Sequence, residues 1–138
     1  MSINRPGNQL GGKASIVGIG ATEFSKNSGR TEVRLAMEAT LQALNDAGID
    51  PSEVDGFSSY SVDKVPEYEI ARLLGAKNIN FFSQIPHGGG AACAPVLHAA
   101  MAVATACGTA WASAAPRTTC CAATRATGST CSARPASP

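Results

Sequence analysis

The feature that most constrains this chain is a break in composition near residue 106. Residues 106–138 contain no Asp, Glu, Lys, Leu, Ile, Val, Met, Phe or Tyr, and Trp111 is their one large apolar side chain. A segment so poor in branched and aromatic residues buries too little apolar surface to offset the entropy lost on ordering it. Neither helical nor strand periodicity can be read in it. It is therefore expected to be disordered and to add nothing to a core. All ten acidic residues lie before the break. The globular part is thus expected within residues 13–105, a single modest domain, behind a flexible stretch at 1–12.

Disordered tails are ordinarily rich in Glu, Lys, Gln and Ser. This one instead holds four of the five cysteines, and every residue type in it can be encoded by GC-rich codons. Such a composition is expected of a reading frame entered by a slip close to residue 106. Pro116 to Cys121, written CCN-CGN-ACN-ACN-TGY-TGY and moved by two bases, gives a small residue, two of Asp, His, Asn or Tyr, then Leu, Met or Val, then Leu. A peptide such as A-D-H-V-L, a natural strand opening after a helix, fits that pattern. A genuine low-complexity tail is the alternative.

Before the break the order of elements is regular. ASIVGI at 14–19 is a short β-rich run closed by Gly20. From Thr31 to Ala47, Val33, Met37, Leu41, Leu44 and Ala47 recur at helical spacing, with Gly48 as the stop signal. Ala36, Ala39 and Ala43 make a second, small-residue side, so this helix is expected to pack on more than one face. Asp50-Pro51-Ser52-Glu53 reads as a turn, and 54–62 alternates large and small residues as a strand does. Pro66 precedes a short helix carrying Tyr68, Ile70, Leu73 and Leu74 and ended by Gly75. INFFSQI at 79–85 is a third strand, and an apolar helix runs from about Ala94 to Ala104. Alternating strands and helices predict α/β layers.

A formal net charge of +1 and a pI near 7.6 leave no electrostatic footprint for nucleic acid or an anionic membrane surface. The N-terminus lacks the apolar core of a signal peptide, and no stretch approaches the length of a membrane span, so a cytoplasmic location is expected. Five cysteines are an odd number, and Cys93 alone lies in the globular part, which argues against a disulfide framework. The spacing of Cys107, Cys120, Cys121 and Cys131 does not match a zinc finger or ribbon.

Two glycine motifs carry chemical possibilities. VGIGATEF holds G-x-G after a strand, but Glu23 takes the third glycine position and a loop, not a helix, follows. No helix N-terminus is thereby placed to receive a pyrophosphate, so a dinucleotide site is not expected. PHGGGAACAP at 86–95 is more telling, since it lies between a strand and an apolar helix. A tight turn in that setting presents groups at a helix N-terminus, where aligned N–H groups hold an oxyanion or lower a thiol pKa. Pro95 fits the first helical turn, which starts the helix near Cys93 or Ala94 and leaves Gly88, Gly89 and Gly90 as the turn. Cys93 is read as a small buried hydrophobe, with a reactive thiol as the alternative. His87 is an ordinary loop histidine or a substrate contact, and His98, on an apolar helix, is expected to be packed.

Taken together, SIVGIGATEFSKNSGRTEVRLAMEATLQALNDAGIDPSEVDGF and PHGGGAACAPVLHAAMAVAT resemble the N-terminal part of thiolase-fold proteins. The likeness covers roughly residues 12–105 and is greatest to the sterol-carrier-type thiolases and the lipid-transfer-protein thiolase-like aldolases. In such thiolases the turn reads like N-x-C-A-T-G-S, and its cysteine is acylated by an acyl-CoA thioester. The resemblance places that position at Gly89, with Gly90, Ala91, Ala92 and Cys93 matching the residues after it. Cys93 lies four positions on and is expected to point elsewhere. Covalent acyl transfer has no nucleophile at Gly89.

The resemblance implies a thiolase-like layered fold that stops after the third strand and following helix, without the strand expected next. It also implies acyl-CoA or sterol-side-chain CoA thioesters as substrates, with no other cofactor. His87, Gly88, Gly89 and Gly90 are the implied substrate contacts. A homodimer and an OB-fold, zinc-ribbon partner are implied too, with catalytic acid/base groups in a C-terminal half. The expected function is that of an inactive fragment of a non-thiolytic aldolase. An acyltransferase using Cys93 and a small non-catalytic interaction module are the alternatives.

Overall fold

A computed structural model describes residues 10–60, 65–86 and 93–105, together with the backbone of 110–115 and 120–126. It holds five strands and three helices: β1 (Ala14–Ala21), α1 (Glu32–Ala47), β2 (Gly56–Tyr60), α2 (Glu67–Leu74), β3 (Phe81–Ile85), α3 (Ala94–Ala104), β4 (Ala110–Ala115) and β5 (Cys120–Ala126). The α/β reading holds. Helix ends follow local chemistry. The Thr31 side chain accepts a hydrogen bond from the Arg34 amide at the start of α1, and Gly48 and Gly75 close α1 and α2 at φ 63° and 72°. Pro95 sits in the first turn of α3.

The strands form one sheet in the order β1-β5-β4-β2-β3. β2 pairs in parallel with β3 and β4, whereas β5 runs antiparallel to both β4 and β1. At 110–115 and 120–126 the structure differs from the expectation that no strand follows α3; the rest of 106–138, expected to be disordered, lies outside the described residues. Residues 110–115 and 120–126 supply the two strands that join β1 to β2. The physical reason lies in the backbone. Without them, inner-facing N–H and C=O groups of β1 and β2 would go unpaired between the helices, and backbone pairing as a ladder needs no particular side chain, so a run made mostly of Ala, Thr, Ser and Cys can serve. The flexible stretch expected at 1–12 lies outside the described residues up to position 9, and the remainder of the tail lies outside them as well.

One face of the sheet packs on α1 and α2. Its core is Ala36, Ala39, Ala43, Leu44 and Ala47 of α1, Ile49, Val54, Phe57 and Val65, and Ile70, Ala71 and Leu74 of α2. The small-residue side of α1 is thus the buried one, while Leu41 is exposed. The glycines of VGIG explain this choice. A Cβ on Gly18 or Gly20 would collide with the Ala43 or Ala39 carbonyl oxygen, so this strand and helix meet backbone to backbone. G-x-G is therefore a packing device here.

α3 covers the opposite face with a smaller core of Ala99, Ala102 and Val103, against which Ala14 and Phe81 pack. The two edges of the sheet differ. Outward amides of β1 are satisfied by α1 side chains, Ile19 N–H donating to Asp46 Oδ2 at 3.0 Å and Ala21 N–H to Gln42 Oε1 at 3.3 Å. On β3, Phe82 stands half exposed, its ring stacked on that of Phe57 with centroids 6.1 Å apart.

Candidate functional site

β1, β2, β3 and β4 run in the same direction, so the carboxyl ends of the first three emerge at one end of the sheet, each leading to the N-terminus of the helix that follows. Ligands of open α/β sheets bind at this end. The loop after β1 is tied down by charge: Arg30 pairs with Glu23 and with Glu38 of α1, and Arg34 Nε donates to Glu38 at 3.0 Å. After β2, Ser59 Oγ donates to the Glu67 carboxylate in the first turn of α2. After β3 the sequence continues into the glycine stretch at 88–90.

His87, Gly88, Gly89 and Gly90, the implied substrate contacts and nucleophile position, lie outside the described residues. Cys93 is described and corrects one expectation. It is exposed and stands just before α3 with αR dihedrals, φ −85° and ψ −12°. Pro95, two positions on, is buried and takes the inward place, so the cysteine turns to the surface. No base is recorded against Cys93 among the described residues. His98, five positions along, is half-buried, and its Nδ1 is 2.6 Å from Ser83 Oγ of β3.

Sequence reasoning did not find the hydroxyls of this region. Thr22 Oγ1, Ser58 Oγ and Tyr60 OH are buried with no hydrogen-bond partner among the described residues. Phe57 and Ser59 face α1 and α2, so alternation turns Ser58 and Tyr60 to the α3 face, where Ser58 is in register with Ser83. Thr22 ends β1, three strand spacings or roughly 14 Å from β2, and does not converge with them. The polar interruptions in FSSY and FFSQI are the signal that could have found this row, since a serine in a strand covered on both faces is out of place. Among the described residues no three His, Cys, Asp or Glu side chains are grouped to hold a metal ion. Nor is any helix there long and apolar enough to cross a membrane.

The arrangement of sheet and glycine turn can be set beside known proteins. No protein-family model matches the chain. Over 96 residues it is 60% identical to the 17-hydroxy-3-oxo-4-pregnene-20-carboxyl-CoA lyase of Mycobacterium tuberculosis, covering 70% of this chain and 25% of that enzyme. Over the same length it is 56% identical to a steroid side-chain-cleaving aldolase of Thermomonospora curvata. The solved Ltp2-ChsH2(DUF35) aldolase superposes with a TM-score of 0.72 at 52% identity, over 75% of this chain and 27% of that one. The chain has a thiolase-like fold. A monomeric SCP2-thiolase-like protein from Mycobacterium smegmatis shares the fold at 21% identity, with a TM-score of 0.61.

This thiolase-like chain spans about a quarter of the length of the curated relatives it matches. These two relatives are named for cleavage reactions, one as a CoA lyase and one as a steroid side-chain-cleaving aldolase.

Proposed function

We propose that this chain is the N-terminal part of a non-thiolytic aldolase that cleaves the side chain of a CoA-linked steroid, and that by itself it has no turnover. The observation that carries this reading is the identity to two steroid side-chain-cleaving enzymes over 96 residues. The name of the lyase puts a hydroxyl on the carbon β to the thioester carbonyl. Cleavage of such an aldol passes the hydroxyl proton to a base and breaks the carbon–carbon bond, giving a ketone and a thioester enolate, which then takes a proton. No covalent acyl-enzyme is needed, so a glycine at position 89 is acceptable and lets the thioester approach the backbone. The groups that move protons belong to the part of the parent outside this chain. The parent is expected to be cytoplasmic, to dimerise, and to bind an OB-fold, zinc-ribbon partner; the Ltp2-ChsH2(DUF35) aldolase, whose name pairs two proteins, supports a partner.

We further propose that the chain is read out of frame from about residue 106. Support comes from the mismatch between β4 and its place. Inner strands of a sheet covered on both faces are ordinarily rich in Val, Ile and Leu, whereas β4 is AWASAA. The nucleotide sequence downstream of codon 105 tests this, an uninterrupted authentic frame being the contrary result. The aldolase reading is tested on the frame-restored protein with its partner. Cleavage should proceed without free CoA and survive alkylation of Cys93. A requirement for free CoA, lost on alkylation, would instead support acyl transfer through Cys93.

A further inference from the structure

We propose that Asp46 and Gln42 of α1 lock the outer edge of β1, and that this lock keeps a second copy of the chain from adding a strand there. β1 is an end strand of the sheet, and its sequence ASIVGIGA contains no charged residue and no proline. Ile16 and Ile19 stand more than half exposed on it. A long, uncharged, β-branched edge of this kind is a template for strand addition, and folded proteins ordinarily blunt it.

Here the neighbouring helix does so. Strand N–H groups face outward at every second residue. Ile19 and Ala21 are two such positions, and both are taken, by Asp46 Oδ2 at 3.0 Å and Gln42 Oε1 at 3.3 Å. Gln42 and Asp46 lie four residues apart and so share one side of α1. Their side chains reach the strand because α1 is seated on glycine. A Cβ on Gly20 would stand 2.9 Å from that of Gln42 and would collide with the Ala39 carbonyl oxygen. Toward the start of β1, the pairing with β5 shifts register between Ile16 and Gly18, and such an irregularity disrupts the ladder that a further strand would need. The G-x-G motif thus does more than allow close packing, for it brings two hydrogen-bond acceptors over the strand edge. None of this depends on the aldolase reading.

The test compares variants of the full chain. Asp46→Ala together with Gln42→Ala removes both acceptors at exposed helix positions, where alanine preserves the helix. The Ile19 amide, followed by NMR, should then exchange with deuterium about tenfold faster, the worth of a hydrogen bond to a charged acceptor. The protein concentration at which light scattering detects self-association should fall severalfold. Asp46→Asn with Gln42→Glu keeps an acceptor oxygen at each position and should leave both readings close to those of the unchanged chain. Thr31→Ala weakens α1 at its cap, away from this edge, and should lower the threshold less than the alanine pair does. Unchanged Ile19 exchange or an unchanged threshold with the alanine pair would overturn the proposal. An equal fall in threshold with the Asn/Glu pair, or with Thr31→Ala, would overturn it too.

Discussion

The two faces of the sheet are built differently. On the α1/α2 face, glycines of β1 admit the α1 backbone and twelve residues form a continuous buried cluster. On the α3 face only three helix residues are buried in common, and Leu97 and Met101 stand about half exposed. Ile16 and Ile19 of β1 are also more than half exposed, as is Phe24 beyond it. The first face carries the larger core even though Phe82, Leu41 and Leu73 stay about half exposed there, whereas the second buries few residues, and apolar surface left in that way marks a place where more protein is ordinarily packed. Stability should therefore reside on one side and association on the other.

The sharpest way to break this comparison is to spoil the close approach. Gly20→Val drives a branched side chain into the Ala39 carbonyl and the Ala43 amide, and should abolish cooperative thermal unfolding followed by circular dichroism, at a cost above about 3 kcal/mol. Next in size, Leu44→Ala removes a side chain that is 1% exposed and should cost about 2–5 kcal/mol in urea unfolding. Val103→Ala on the α3 face should cost less, about 1.5 kcal/mol for two methyl groups. Equal losses from these two substitutions would erase the distinction between the faces.

Smaller effects should separate stability from association. Thr31→Ala removes the cap of α1 and should cost about 1 kcal/mol by the same urea measurement. Ile19→Lys, at a position 69% exposed, should change stability by less than about 0.5 kcal/mol, yet raise the concentration at which light scattering detects aggregates. A large loss of stability from Ile19→Lys would show that the second face is already closed.

Much of residues 14–104 was legible because its signals are local. Thr31, Gly48, Gly75 and Pro95 act on their own helix ends through hydrogen bonds and backbone dihedrals that need no distant partner. The sequence pattern starts the third strand at 79, whereas it begins at Phe81, and extends the second over 54–62, whereas it spans Gly56–Tyr60. Strand limits depend on which residues find a ladder partner, and that partner lies elsewhere in the chain. The burial of Cys93 was misjudged for a similar reason, since orientation at a helix start depends on what the helix packs against. The glycine turn as a site rests on the sequence and its resemblance, while the hydroxyl row and the Ser83–His98 contact came only from the packing of α3 on the sheet.

The sequence by itself determined the alternation of strands and helices, the helix caps and the thiolase-like resemblance, because these are written in neighbouring residues. Tertiary structure alone decided that two stretches made mostly of Ala, Thr, Ser and Cys fill the middle of the sheet. It also decided that α1 buries its alanines and that G-x-G serves packing. Backbone pairing and close approach depend on what lies across the sheet and against the helix. Side-chain patterns along the chain carry that information only weakly.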